Sequence, residues 1–282
     1  MKRLMYLVVV ALLALAATSC RRDGGSGERP VPVSATPAYE KYFGSAPSST
    51  RGECFAFVIY FPSGVEKGKL VPFPFFSFDK PTLKKVAVER LVTGMEIPAY
   101  RGELLNPFPP GTHLLALSER NGLVTLEMSN QGPSDRVLRQ AGREALALTL
   151  KQFAGVKTVD LIRDGDRTRL KLPAEAAVRE PGPPRLLSVV ANKGKGRKTV
   201  EEVSVLFDRP LKIRELVLTD GQGKGFPGEL FHSVFDMAAV LKPREPARFQ
   251  AGMPLRVRWK VVDRKGREGK GDTLIPLQVH EQ

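Results

Sequence analysis

The sequence 106-NPFPPGTHLLALSERNGLVTL-126 decides the fold of the first half of this chain. Its opening, Asn106–Thr112, holds three prolines and one glycine and predicts a rigid turn. The next residues alternate around Leu114 and Ala116, which is typical of a strand. Asn121-Gly122 tolerates positive φ and favours a type I′ hairpin turn. The stretch therefore predicts two antiparallel strands entered through a fixed turn.

Two further strands are predicted before this hairpin. Cys54–Phe61 is aromatic and β-branched and ends at Pro62, which is typical of a strand and the turn after it. Leu70–Phe78 is a second strand candidate. Pro72 and Pro74 predict that it lies at a sheet edge, because proline cannot donate a ladder hydrogen bond.

Two helices and a last strand complete this unit. Apolar residues at a spacing of three to four predict a helix over 81–94. A second helix, capped at its start by Ser134 or Asp135, precedes a last strand over 156–163. The order ββαββαβ predicts an α+β domain over residues 50–178, with a mixed sheet and both helices on one face.

These residues resemble the GerMN domain of sporulation and spore-germination lipoproteins. The matching segments are Tyr60-Phe61, Leu70-Val71-Pro72, Glu89–Gly94, Asn106–Thr112, Asn121–Leu126 and Ala145–Phe153, with Val156 and Val159 after them. The family is similar to the ring-building motifs of secretion and sporulation machinery. The resemblance implies the fold and a role in assembly, and it implies no catalytic residues.

The second half predicts an all-β module. Residues 179–184 are rich in proline and form a linker, and 185–282 contains short apolar alternations separated by turns, which predict an immunoglobulin-like β-sandwich. The segments Phe207–Leu211 and Val261–Gly266 resemble bacterial immunoglobulin-like modules, including a copper-resistance type. The histidines of this half do not reproduce the copper ligands of that type, so copper is not expected.

The N-terminal residues have the pattern of a targeting signal. A basic start and the apolar run Leu4–Ala17 predict a secretory signal peptide over 1–19. Small residues before Cys20 resemble a bacterial lipobox, which implies an acylated cysteine that anchors the chain in a membrane. The alternative is a plain signal peptide with an incidental cysteine. Arg21 implies the outer membrane if the source is Gram-negative, and the composition of residues 20–49 predicts a tether.

The positive charge of the chain suggests one candidate contact with an anionic surface, apart from the lipid anchor. The chain has 44 Lys+Arg against 30 Asp+Glu, a net charge of +14, which favours anionic neighbours. A basic tract offers Lys193, Lys195, Arg197 and Lys198 to lipid headgroups or wall polymers; the alternative is a solvated hairpin loop. Two cysteines and three histidines are too scattered for a metal site. No metal, cofactor or nucleic-acid partner is expected.

The sequence offers little for catalysis. Ser77-Phe78-Asp79-Lys80 fits the S-x-x-K pattern of acylating enzymes, but Pro81 follows at once and disfavours the helix that this chemistry needs. His113, Glu119 and Glu127 have no neighbours in the sequence that indicate acid–base work. The chain is therefore expected to be non-catalytic.

The leading hypothesis is a lipid-anchored envelope protein that presents its GerMN-like domain to a protein partner or to peptidoglycan. Unpaired sheet edges on both domains would allow assembly by strand addition, and self-association is compatible with this hypothesis. One alternative is an accessory enzyme or regulator acting on peptidoglycan. Another is a periplasmic binder of a small ligand.

Overall fold

The computed structural model describes residues 31–49, 52–95, 97–129, 135–163, 165–174 and 177–281. The predicted signal peptide over 1–19 and the anchor Cys20 lie outside these residues. Within the described ranges, no helix is both long and apolar enough to span a membrane.

The described chain begins with short elements that belong to the folded body. They are β1 (Val31–Pro32), β2 (Ser34–Ala35), α1 (Pro37–Phe43) and β3 (Ser48–Ser49). Helix α1 is capped by Thr36 and buries Tyr39, Tyr42 and Phe43 in the first hydrophobic core. The tether prediction for 20–49 is therefore wrong over this helix. An aromatic face at a spacing of three and four outweighs the surrounding prolines.

The α+β unit follows in the predicted order. Its elements are β4 (Phe55–Pro62), β5 (Leu70–Ser77), α2 (Leu83–Thr93), β6 (Leu114–Arg120), β7 (Leu123–Met128), α3 (Arg136–Lys151), β8 (Thr158–Arg163) and β9 (Asp166–Arg169). The antiparallel hairpin of β6 and β7 is confirmed, with Asn121 and Gly122 at positive φ. Asp135 caps α3 by accepting the Leu138 N–H. The edge position of β5 is confirmed as well.

The predicted single mixed sheet is wrong. The strands form two sheets, in the orders β2-β4-β5 and β6-β7-β8-β9. The pairs β2–β4 and β7–β8 are parallel, and the other pairs are antiparallel. Both sheets contribute to one hydrophobic core with the helices. Strands β4 and β6 do not pair because helix α3 and the residue after it occupy the edge of β4.

The rigid turn at Asn106–Thr112 connects three elements. The Asn106 side-chain amide donates to the carbonyls of Val92 and Thr93 at 3.3 and 3.2 Å. These carbonyls at the end of α2 thereby gain a hydrogen-bond partner that the helix itself does not supply. Pro107 packs on Gly142 of α3 so closely that a Cβ there would lie 3.0 Å from the proline Cβ. The turn therefore fixes α2 and α3 relative to the hairpin that follows it.

The second half consists of two packed sheets. Its strands are β10 (Leu186–Lys193), β11 (Glu202–Phe207), β12 (Leu211–Thr219), β13 (Gly228–His232), β14 (Ala238–Pro243), β15 (Pro254–Asp263), β16 (Glu268–Pro276) and β17 (Gln278–Glu281). Five strands pair in the order β13-β14-β11-β10-β17 and three in the order β12-β15-β16. Both sheets bury side chains in a second core. Strand β15 alternates as predicted, with Trp259 inside and Arg258 outside.

Candidate interaction surface

A groove of about 700 Å³ separates the two sheets of the α+β unit. Strands β2 and β4 form one wall and strand β6 the other, and the beginning of α2 lies along its rim. Apolar side chains that line the groove include Ala35, Phe55, Phe57, Leu83, Leu114, Leu115, Leu117 and Phe153. The groove is therefore a largely apolar slot beside a strand.

The wall formed by β4 is already closed by hydrogen bonds. Beyond the short strand β2, the side-chain oxygen of Gln152 accepts the Val58 N–H at 2.8 Å, and its amide donates to the Val58 carbonyl at 2.5 Å. One turn earlier, the Thr149 hydroxyl accepts the Tyr60 N–H at 3.3 Å. Two side chains thus take the place of a neighbouring strand and leave β4 without a free edge here.

The wall formed by β6 remains open. Strand β6 is the first strand of its sheet, and no described strand pairs with its outer side. A register shift lies between Leu114 and Ala116, and Leu115 between them is 61% exposed. An exposed apolar edge strand is a template for pairing with another chain.

Three ion pairs lie at the rim of the groove, and they differ in length and exposure. Lys84 of α2 contacts Glu119 of β6 at 2.5 Å and ties the open strand to the helix. Lys80 lies 3.7 Å from Glu53, and both side chains are largely exposed. The Lys85–Glu89 pair is similar, at 3.8 Å. Lys80 also lies over the Phe55 ring, 5.3 Å from its centre. Exposed ion pairs of this kind are weak.

The predicted basic contact lies in the loop between β10 and β11. Lys193 contacts Glu281 at 3.5 Å, and Arg197 contacts Glu201 at 3.2 Å. The Gly196 N–H and then Lys193 hold the pKa of Glu281 below its usual value. Lys195 and Lys198 are exposed. The structure therefore pairs two of the four cations within the chain, and an anionic partner for this loop stays a prediction.

The residues considered for catalysis do not converge. Ser77 is the last residue of β5, and its hydroxyl accepts the Asp79 N–H, while Lys80 precedes α2. His113 and Glu127 are exposed, and Glu119 is held by Lys84. Among the residues that the structure describes, no cluster of three His, Cys, Asp or Glu side chains is arranged to hold a metal.

A polar junction between the two halves was not foreseen from the sequence. Asp208, fully buried at the end of β11, accepts the Tyr100 hydroxyl at 2.5 Å and the Arg185 N–H at 3.1 Å. Buried Arg209 contacts Asp208 at 2.8 Å and Asp263 at 3.4 Å. Burial and then the Asp208 carboxylate raise the pKa of Tyr100, so its phenol stays a neutral donor. The sequence carries one signal of this junction: the charged residues Asp208 and Arg209 directly follow the apolar strand β11.

A salt bridge and an aromatic contact extend this junction. Arg185 donates to both carboxylate oxygens of Glu103 at 2.7 and 3.0 Å, and this hydrogen bonding lowers the pKa of Glu103. Phe235, in a turn after β13, stacks on Phe76 of β5 with ring centroids 4.7 Å apart. It does so at a φ of 72°, a conformation costly for a bulky residue. The two halves therefore contact each other through specific side chains.

Comparison with known proteins bears on the first half. Residues 58–169 match the model of the Germane family, described as sporulation and spore germination. The predicted GerMN-like domain is thereby confirmed over these residues. No curated protein matches the chain.

Solved structures show weaker likenesses. The tandem GerMN domains of the sporulation protein GerM from Bacillus subtilis are 17% identical over 40% of this chain, with a TM-score of 0.30, and the chain spans 40% of that structure. PcoC, a methionine-rich copper resistance protein from Escherichia coli, is 18% identical over 34% of this chain and 100% of its own, with a TM-score of 0.26. CopC from Methylosinus trichosporium OB3b is 17% identical over 35% of this chain and 97% of its own, with a TM-score of 0.22.

Proposed function

We propose that this chain is a lipid-anchored envelope protein that acts by docking to a partner, in the manner of sporulation and germination proteins, and that it catalyses no reaction. The observation that carries the proposal is the match of residues 58–169 to the Germane family. The resemblance of Ala17–Cys20 to a lipobox supports the anchor. A cysteine that carries two or three acyl chains would hold the protein firmly in the membrane. The outer membrane is the destination if the source is Gram-negative.

The described groove supports binding rather than catalysis. Its acidic side chains, Glu119 and Glu89, contact lysines, and most of its remaining lining is apolar. A general acid–base pair needs carboxyl groups that face a substrate within hydrogen-bond reach. An apolar slot beside an open strand instead suits an extended peptide. We assign the second half to the immunoglobulin-like class, as a module that carries the docking domain.

Cell fractionation of a Cys20→Ala variant tests the anchor. The wild-type chain is expected in the membrane pellet after a high-salt wash, because acyl chains resist salt while basic side chains on anionic lipids do not. Cys20→Ala is expected in the soluble fraction. A Cys54→Ala variant, which keeps the lipobox, is the matched control and should stay in the pellet.

Two results would contradict the proposal. Retention of Cys20→Ala in the salt-washed pellet would mean that the cysteine is not the anchor. Lysis of peptidoglycan by the purified full chain in a zymogram would mean that the chain is an enzyme.

A further inference from the structure

We propose that strand β6 and the groove beside it bind an extended acidic segment of another protein, which pairs with β6 as an added strand. This inference rests on the proposed docking function and names the surface and the partner chemistry. It uses three observations: one open strand edge, one apolar slot, and the charge around them.

The open edge determines how the partner binds. Strand β4, which faces the groove with β2, has its hydrogen-bonding groups taken by Gln152 and Thr149. Strand β6 has no described strand on its outer side. An incoming segment therefore finds main-chain partners on β6 alone, and main-chain pairing is what gives strand addition its affinity.

The slot determines which side chains the partner carries. Leu114 and Leu117 of β6 are half-buried at the groove wall, and Leu115 is largely exposed beside them. In an extended segment alternate side chains point to the same side. A partner with apolar residues at every second position would place them in the slot over Phe55 and Phe153.

Charge determines which protein supplies the segment. The chain carries a net charge of +14, so two copies repel each other. At the rim, Lys80 lies 3.7 Å from the exposed Glu53 and 5.3 Å from the centre of the Phe55 ring, and Lys85 lies 3.8 Å from the exposed Glu89. The positive net charge of the chain therefore favours an acidic segment of a different protein over a second copy of this chain.

Peptide binding to the purified full chain tests this inference. The probe is a short fluorescent peptide of alternating glutamate and valine, compared with one of alternating lysine and valine and with one whose valines are replaced by proline. We expect the acidic peptide to bind about tenfold more tightly than either comparison peptide, because the lysine peptide is repelled and prolines cannot pair with a strand.

Two matched variants locate the site. Leu115→Asp places a carboxylate on the open edge, whereas Leu274→Asp makes the same change at a leucine on edge strand β16 that is 62% exposed. The acidic peptide should bind Leu115→Asp about tenfold more weakly and Leu274→Asp as it binds wild type. Both leucines are exposed, so neither variant should lose its fold, which circular dichroism checks.

The outcomes separate this inference from the proposed function. No binding of the acidic peptide, equal loss in both variants, or a wild-type dimer that Leu115→Asp dissolves would each overturn the acidic-partner inference. Peptide binding that depends on Leu115, together with a failed anchor in the fractionation experiment, would support this surface while the lipoprotein proposal falls.

Discussion

Asp208 lies at the centre of the polar junction that joins the two halves. Its carboxylate is fully buried and binds the hydroxyl of Tyr100, the main chain of Arg185 and the guanidinium of Arg209. Such a group is costly to bury unless every partner is present. One aspartate and its three partners therefore contribute to how the two halves are held together.

An Asp208→Asn variant should be strongly destabilised. The amide removes the nearer of the two carboxylates that pair with Arg209 and leaves Asp263 at 3.4 Å, and breaking a buried ion pair costs about 3–5 kcal/mol. The midpoint of denaturant unfolding measures this loss. Asp272→Asn is the matched control, since Asp272 also binds an arginine through both oxygens but at the surface. Equal midpoints for the two variants would mean that the buried cluster contributes no more to stability than the exposed Arg256–Asp272 pair.

At the scale of elements, the closed edge of β4 explains why the α+β unit has two sheets. Gln152 follows the end of α3 and both accepts from and donates to Val58, as a residue of a neighbouring strand would. The Thr36 hydroxyl also donates to the Gln152 oxygen at 2.9 Å, where the chain leaves β2. The end of the helix thus continues the sheet where β2 stops.

A Gln152→Met variant should destabilise the protein. Methionine has a similar length but leaves the buried N–H and carbonyl of Val58 without partners, at about 1–3 kcal/mol for each. Gln140→Met, on an exposed position of α3 where the amide donates to Glu144, is the control and should unfold like wild type. Thermal unfolding followed by circular dichroism compares them. A stable Gln152→Met variant would show that water replaces the side chain at this edge.

Local signals account for what the sequence predicts correctly among these elements. Asn121-Gly122 specifies the hairpin through its own φ preferences, and Pro72 specifies an edge through its missing donor. The helix at Pro37–Phe43 lies in a segment predicted as a tether because prolines and glycines surround it, although its aromatic spacing is visible. The two-sheet arrangement depends on Gln152, which lies 94 residues from its partner Val58, and no local pattern announces such a contact.

At the scale of the whole molecule, side-chain contacts join the two halves, and strand β6 is an edge strand beside a largely apolar groove. The Asp208 cluster and the Phe235 stack join the halves, and the edges of β4 and β5 are occupied by side chains or contain proline. Strand β6 differs from these, because it is apolar at its start and five of its seven residues are exposed. In the basic tract at 193–198, Lys195 and Lys198 are exposed, and contact with an anionic neighbour stays a prediction.

The proposed docking function therefore depends on whether β6 meets a partner in the cell. Photo-crosslinking tests this directly, with benzoylphenylalanine placed at Leu115 or, as a control, at Leu274 in the full chain. We predict an adduct from Leu115 alone, mapped by mass spectrometry to an acidic extended segment of a different protein. No adduct from Leu115, an adduct with a second copy of the chain, or equal adducts from both positions would contradict the account.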